Sequence, residues 1–339
     1  MVKHYNIPIF LPELACPFRC SYCNQATISG QSHIPSESEM IALIERNLNS
    51  FPKGNNHIEI AFFGGNFTGL PTRIQRNALQ VAKKYVCNNQ VQGIRLSTRP
   101  DYVDSEKLLL LKENGVTTIE LGAQSLDEEV LLRCGRGHTA ADVHQASALI
   151  KAEGFSLGLQ MMIGLAGDTL SRALQTAHQI IEAGADETRI YPCLVIRGTE
   201  LEQAFLKGSY IPLSLDEAVA WTAQLVLLFE KAGVKIIRLG LHPSEELNNE
   251  GLIAGPYHPS FKELVMTKIW KNILLANNEW PGCSELQIEI APKERNFCIG
   301  FEATNKKWLL TRFKNIRFIA NDAVSDRNFL LKPILSCSS

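Results

Sequence analysis

The chain has 339 residues, 45% of them hydrophobic and 20% charged, with a net charge of -1. That is the composition of a soluble globular protein with room for one barrel and a small appendage. A neutral chain carries no global field for nucleic acid or a membrane surface, and no run of about 18 apolar residues or signal-like N-terminus is present, so the expectation is a cytoplasmic protein with no membrane partner.

Short β-rich runs alternate with amphipathic stretches along most of the chain. Strands are expected at 5–11, 58–63, 93–97, 118–122, 156–162, 187–195 and 234–239, and helices at 38–49, 72–86, 105–114, 140–152, 169–183 and 215–232. Ser36 and Ser38 before Met40, and Ser105 before Glu106, supply helix start signals. The helical stretches end at Gly115, Gly154, Gly184 and Gly233, where glycine suits a left-handed C-cap. A βα repeat of this kind implies a parallel sheet with helices outside it. Six or so units predict an α/β fold, an open partial (β/α)6 TIM-like barrel, with its chemistry at the C-terminal ends of the strands.

The rhythm breaks after Leu241, and residues 241–260 read as a connection through His-Pro-Ser and Gly255-Pro-Tyr-His-Pro259. The domain boundaries expected are therefore 1–240 for the barrel, 241–260 for the connection and 261–339 for a small C-terminal α+β module. Within the module the pattern predicts a helix from Phe261, strands at 285–291 and 297–301, a helix at 304–313 and a strand at 316–320. His242, Tyr257 and His258 either close over the barrel mouth or are plain loop residues.

Nine cysteines in a chain of this length form neither a disulfide scaffold nor an even set. Cys87, Cys134, Cys193, Cys283, Cys298 and Cys337 are scattered and read as small core residues. Cys16, Cys20 and Cys23 instead crowd into eight residues after the first expected strand. Three thiolates on one short loop can hold three corners of a cubane and leave one iron open. A structural zinc loop is the competing reading; it needs a fourth ligand, for which His33 or His4 would have to serve.

A three-residue then two-residue cysteine spacing resembles the signature of the radical S-adenosylmethionine (SAM) superfamily. The resemblance implies a [4Fe–4S] cluster on Cys16, Cys20 and Cys23 whose fourth iron binds SAM through its amino and carboxylate groups. Reductive cleavage then gives a 5′-deoxyadenosyl radical that abstracts hydrogen from substrate, with electrons from an external flavodoxin- or ferredoxin-type donor. Tyr22 is expected near the adenine. Gly64-Gly65-Asn66, at the end of the second strand, resembles the glycine-glycine-glutamate motif that accepts the cofactor's ammonium, with Asn66 in place of the acid. Ser97 ends the third strand, where relatives bind the ribose, and Gln160 on the fifth strand reaches the ribose or is an inward polar core residue. Gln124 and Arg136 match cofactor-lining positions of the coproporphyrinogen-oxidase-like and Elongator-like branches, the arginine facing the carboxylate as a two-pronged fork. His138 reads as a helix cap as readily as a chemical group.

Ser-Thr-Arg99-Pro-Asp101-Tyr, Gln124-Ser-Leu-Asp127, Arg136-Gly-His138-Thr139 and Ile190-Tyr191-Pro192-Cys-Leu-Val-Ile-Arg197-Gly198-Thr199 look like the radical domain of the Elongator catalytic subunit over roughly residues 8–241. In that family the domain modifies the wobble uridine of tRNA with acetyl-coenzyme A. About 100 residues follow Leu239, too few for an acetyltransferase domain and its linker. The expected function is radical SAM chemistry in RNA modification with tRNA as partner. The alternatives are the same chemistry on a tetrapyrrole or metabolite, and a non-catalytic cluster-binding or haem-delivery protein. Residues 299–316 resemble a KH-type segment whose GxxG loop would clamp nucleic acid, with Ala303 at the second glycine. Residues 261–339 carry 12 Lys/Arg against 8 Asp/Glu, and Lys306, Lys307, Arg312 and Lys314 gather at one helix and its exit, as an RNA contact or a solvated face.

Overall fold

The computed structural model describes residues 3–11, 16, 20–24, 33–241 and 251–334. His242 and Cys337 lie outside them. The chain divides into two compact units, one of Met1–Ala218 with Leu225–Tyr257, the other of Val219–Gln224 with His258–Ser339.

The first unit is built on seven parallel strands in the order β1 (Lys3–Phe10), β2 (Asn56–Phe63), β3 (Gly93–Thr98), β4 (Val116–Gln124), β5 (Ser156–Ile163), β6 (Glu187–Pro192) and β8 (Lys235–Leu239). Between them run α1 (Glu37–Ser50), α2 (Thr72–Cys87), α3 (Ser105–Glu113), α4 (Glu128–Arg133), α5 (Ala140–Ala152), α6 (Leu170–Glu182), α7 (Glu200–Leu206) and α8 (Leu215–Lys231). Helices cover the outer face because each buries one stripe. In α6 the buried residues are Ala173, Thr176, Ala177 and Ile180, the i, i+3, i+4, i+7 pattern of a single face. The sheet curls into a partial barrel, so that Lys235 on one edge strand helps burial depress the pKa of His4 on the other.

Local chemistry sets the boundaries. Ser36 opens α1 with a full capping box to Glu39, while at α3 the cap is Asp104, which accepts from the Lys107 amide at 2.8 Å, rather than Ser105. The glycines expected to end helices, Gly115, Gly154, Gly184 and Gly233, all have φ between 75° and 83°. The run expected as one strand at 187–195 splits into β6 and a two-residue β7 (Val195–Ile196). Residues read as connection supply β7's antiparallel partner, β9 (Leu252–Ala254). Tyr257 packs with Leu194, Ile196, Leu241 and Leu252.

The second unit holds α9 (Phe261–Ala276), β10 (Glu285–Ile290), α10 (Arg295–Ile299), α11 (Thr304–Leu309), β11 (Asn315–Ala320) and β12 (Phe329–Pro333). β10 is central, parallel to β11 and antiparallel to β12. Trp270 of α9 is fully buried against Leu286, Ile288, Ile290, Cys298 and Leu309, and its indole N–H donates to Glu294 at 2.8 Å. The strand expected at 297–301 is instead α10. Three apolar residues in a row, Phe297–Ile299, do not distinguish a strand from a buried helical turn, and here Cys298 goes inward against Trp270. Consequently Gly300–Ala303 joins two helices, not a strand and a helix. β12 carried no sequence signal that separated it from a loop. No helix among the described residues is long and apolar enough to cross a membrane.

Candidate active site

The cysteine loop leaves β1 beside the end of β2. The Leu11 amide donates to the Phe63 carbonyl at 2.8 Å, and Gly64 has φ 89°. A Cβ at residue 64 would lie 2.3 Å from the Leu11 carbonyl oxygen, so only glycine fits there. Asn66, 2% exposed, points into the protein. Its Oδ1 accepts from the Thr98 hydroxyl at 2.6 Å and the Arg99 amide at 3.3 Å. Asn66 thus braces the ends of β2 and β3 against each other.

Around the loop's second half the contacts are denser. Ser21 N–H donates to the Cys134 carbonyl at 3.0 Å, Leu201 N–H to the Ser21 carbonyl at 2.7 Å, and the Asn24 amide to the Arg197 carbonyl at 3.0 Å. Cys20 and Tyr22 pack with Val130, Cys134, Leu165, Cys193, Val195, Leu201 and Tyr210. The Tyr-Pro-Cys-Leu-Val-Ile-Arg-Gly-Thr block at 191–199 therefore has a physical task, which is to clamp the cysteine loop from β6 and β7. Burial pushes the Tyr22 hydroxyl well above its ordinary pKa, with Arg136 pulling the other way.

Arg136, Gln124 and Gly122 converge at the end of β4. A bulge falls between Gly122 and Gln124, and Gln124 takes φ 66°, a left-handed conformation that costs a non-glycine residue energy. A Cβ on Gly122 would lie 2.8 Å from Arg136 Nη2 and 2.9 Å from Gln124 Nε2. Arg136 itself is 8% exposed; it donates to the Gly122 carbonyl at 2.6 Å and approaches the Cys20 sulfur at 3.5 Å. Burial works against its charge, and the neighbouring Tyr22 and Cys20 side chains more than offset that. Its Nε is buried with no partner. Arg99, bound to Asp101 through two 2.9 Å contacts, donates to the Arg136 carbonyl and fixes this segment. His138 lies close by, bonded to the Ala123 carbonyl at 3.2 Å; burial, then Arg136 and Arg99, drop its pKa to about 3, so it stays neutral.

A third group lines the inside of the barrel. Gln160 donates to Ser97 Oγ at 3.1 Å and to Glu120 at 2.9 Å. Both amide hydrogens are then spent, and its carbonyl oxygen is what remains for a ligand. Below lies a buried charge network that sequence reading missed. Glu120, 1% exposed, accepts from Arg189 at 2.6 and 2.9 Å and from Arg95 at 2.7 Å, and Arg95 also binds Glu59 and Glu187. The available signal was a charged residue inside each of four apolar strands, on the inward side.

Sequence-predicted residues thus fall into three neighbourhoods: Gly64, Gly65 and Asn66 at the root of the cysteine loop; Tyr22, Gln124 and Arg136 around Cys20; and Ser97 with Gln160 on the barrel wall. None of the three cysteines is in a disulfide; Cys20 is buried, and Cys16 and Cys23 are partly exposed. Among the described residues no three His, Cys, Asp or Glu side chains converge on one ion. A cubane asks for a different arrangement, one thiolate on each of three separate irons. A fixed, buried cation beside Cys20 with an unused N–H suits a negatively charged cluster and an anionic ligand, so the donor set fits such a group.

Residues 14–180 match the family model of the radical SAM superfamily, and residues 185–271 that of the radical SAM C-terminal domain. A tRNA uridine(34) acetyltransferase of Methanocaldococcus jannaschii is 30% identical over 184 residues, covering 48% of this chain and 34% of the relative. Human Elongator complex protein 3 is 30% identical over 191 residues, covering 50% and 35%. The chain spans about a third of the length of these curated relatives. The solved structure of the archaeal Methanocaldococcus infernus Elp3 with an N-terminal deletion superposes with a TM-score of 0.65 at 22% identity, covering 81% of this chain and 64% of that one, a likeness of fold.

Proposed function

Because this chain belongs to the radical S-adenosylmethionine superfamily, we propose that it is an RNA-modifying enzyme that cleaves SAM at a [4Fe–4S] cluster held by Cys16, Cys20 and Cys23. When bound, the cluster would supply the electron that splits the C5′–S bond of SAM, releasing a deoxyadenosyl radical for hydrogen abstraction. The observation that carries this reading is Arg136, a buried guanidinium against Cys20 with its Nε unpartnered. A carboxylate is the ligand that completes it, through a charge-assisted pair in a site closed to water. Gln124 stands on the same side, held in its strained conformation by the β4 bulge.

Gly64 and Gly65 bring backbone close to the loop root, where an ammonium would find carbonyl acceptors, while Asn66 holds that turn rigid through Thr98 and Arg99. Ser97 and the Gln160 carbonyl present hydroxyl-binding groups for a ribose. Tyr22, protonated and packed under the loop, excludes water from the cysteine side. Electrons come from a flavodoxin- or ferredoxin-type donor in the cytoplasm. The RNA substrate, tRNA in particular, is supported by the relatives named as tRNA uridine(34) acetyltransferases. The test is whether unmodified tRNA changes the rate of 5′-deoxyadenosine formation and gains mass on a nucleoside; a rate and nucleoside profile indifferent to tRNA would remove RNA from the account.

A further inference from the structure

In the second unit nine of the twelve Lys/Arg stand without carboxylates among the described residues, and six of these lie on the middle of α9, on α11 and just after it. Lys268, Lys271, Lys306, Lys307, Arg312 and Lys314 form no ion pair among the described residues, although Lys332 pairs with Glu289, Lys293 with Asp326 and Arg327 with Glu294 in the same unit. Two of the six share one aromatic ring. The Lys271 ammonium lies 3.4 Å from the centroid of Trp308, and the Arg312 guanidinium carbon 5.1 Å from it. An indole face attracts cations, so Trp308 holds close together two charges that repel each other. Burial, then Arg312 and Lys268, keep the Lys271 ammonium below its ordinary pKa, and no carboxylate acts in the opposite direction. Lys268 lies one turn before Lys271 on α9 and shares its face.

The geometry is fixed by the turn before α11. Gly300 has φ 87°, where a Cβ would meet Thr304 Oγ1 at 2.8 Å and Thr267 Cγ2 at 2.9 Å. The Phe301 backbone N–H donates to Thr267 Oγ1 at 2.8 Å and the Asn305 side-chain Nδ2 to the Thr267 carbonyl at 3.0 Å. These contacts pin the start of α11 to α9 beside Lys268, which sets Trp308 against Lys271. The carboxylate nearest in sequence, Glu302 on the same turn, pairs with none of these cations. Charge is partitioned likewise along the chain, with 22 Lys/Arg against 27 Asp/Glu in residues 1–260 and 12 against 8 in 261–339.

We propose that α9 and α11 form a phosphate-backbone binding surface for RNA, with Lys271 and Arg312 on Trp308, Lys268 beside Lys271, and Lys306 and Lys307 extending it. The proposal rests on the RNA reading of the active site and adds where the substrate is gripped. Self-repulsion among unpaired cations is relieved by a polyanion, and each phosphate contact releases counterions and adds affinity that falls with salt. A single small anion would engage one or two of these groups; an extended chain of phosphates engages the series.

The test uses the full-length, cluster-reconstituted protein and a labelled, unmodified tRNA transcript titrated across a salt series. Lys268→Glu with Arg312→Glu is compared with the charge-preserving Lys268→Arg with Arg312→Lys, and Lys306→Glu with Lys307→Glu serves as a second pair should the first melt early. Reversal is expected to weaken binding at least about tenfold near ~0.1 M salt and to flatten the log–log salt slope by roughly 1.4–1.8, from 0.7–0.9 per lost phosphate contact. The conservative pair should keep both. Wild-type affinity and slope in both folded reversal variants would overturn the surface while leaving RNA as substrate. No tRNA binding by the wild type, with or without binding to anionic lipid vesicles, would overturn surface and substrate together.

Discussion

Glu120→Gln is the substitution whose cost the structure specifies most sharply. The Glu120 carboxylate is the only one paired with Arg189 among the described residues, and both groups are buried. Gln keeps the shape but removes the charge, so Arg189 would remain as a buried cation facing an amide. Breaking a buried pair from one side costs about 3–5 kcal/mol. Arg95 is cushioned because Glu59 and Glu187 still hold it, so the loss should sit at the lower end of that range. Replacing both partners, Glu120→Leu with Arg189→Met, leaves Arg95 with its two other carboxylates and should cost less than the single change. The pH dependence follows from the same contacts. Burial tends to raise the Glu120 pKa, but Arg189 and Arg95 bring the folded value below the ordinary carboxylate range. A depressed folded pKa gives stability that is complete above the unfolded value, near ~4.3, and is lost as pH falls through the folded one. Urea unfolding of wild type, single and double variants from about pH 2 to 8 reads both effects. A single variant within about 1 kcal/mol of wild type, or a double variant that costs as much as the single or more, would refute the reasoning.

Other positions give equally definite outcomes. Ala303 sits at φ 59° in the left-handed region, so Ala303→Gly should stabilise the protein by about 0.5–1 kcal/mol, seen as a higher melting temperature. Gly64→Ala drives a methyl to 2.3 Å from the Leu11 carbonyl; iron bound per chain after reconstitution should fall several-fold, whereas Gly282→Ala, at an ordinary φ and with nothing within 4 Å of its Cβ, should retain it. Arg136→Lys keeps a charge but loses the fork, and SAM affinity by equilibrium dialysis should drop about 10–100-fold, the worth of one charge-assisted contact.

Much of the fold was legible because local and tertiary signals agree. Glycines at helix ends, β-branched runs after them and one-face stripes on the helices each mark the same βα period. The family was legible because its cysteine motif lies in one short segment, within the residues 14–180 that match the radical SAM model. What was not legible depends on side-chain direction. Glu59, Arg95, Glu120, Glu187 and Arg189 read as ordinary charged residues until the curl of the sheet turns them inward to one another. Asn66 read as a ligand-facing amide, with no sign in the sequence that its oxygen also accepts from Thr98 and Arg99 at the end of β3. In the second unit, Phe297 to Ile299 is a short apolar run that fits a strand or a helical turn equally, and it forms a helical turn with Cys298 buried against Trp270. Asp104 displaced Ser105 as a cap by a single residue, a choice that local sequence leaves nearly even.

The central claim is that three sulfurs from one loop leave an iron free to bind SAM, and it is tested most directly by electron paramagnetic resonance. Protein reconstituted with iron and sulfide under anaerobic conditions and reduced with dithionite should give a cubane signal that changes on adding SAM, with 5′-deoxyadenosine appearing in the same sample; Cys20→Ala should abolish both. A fully loaded, reduced cluster whose spectrum is indifferent to SAM, or a purified protein that carries zinc at those cysteines, would contradict the account.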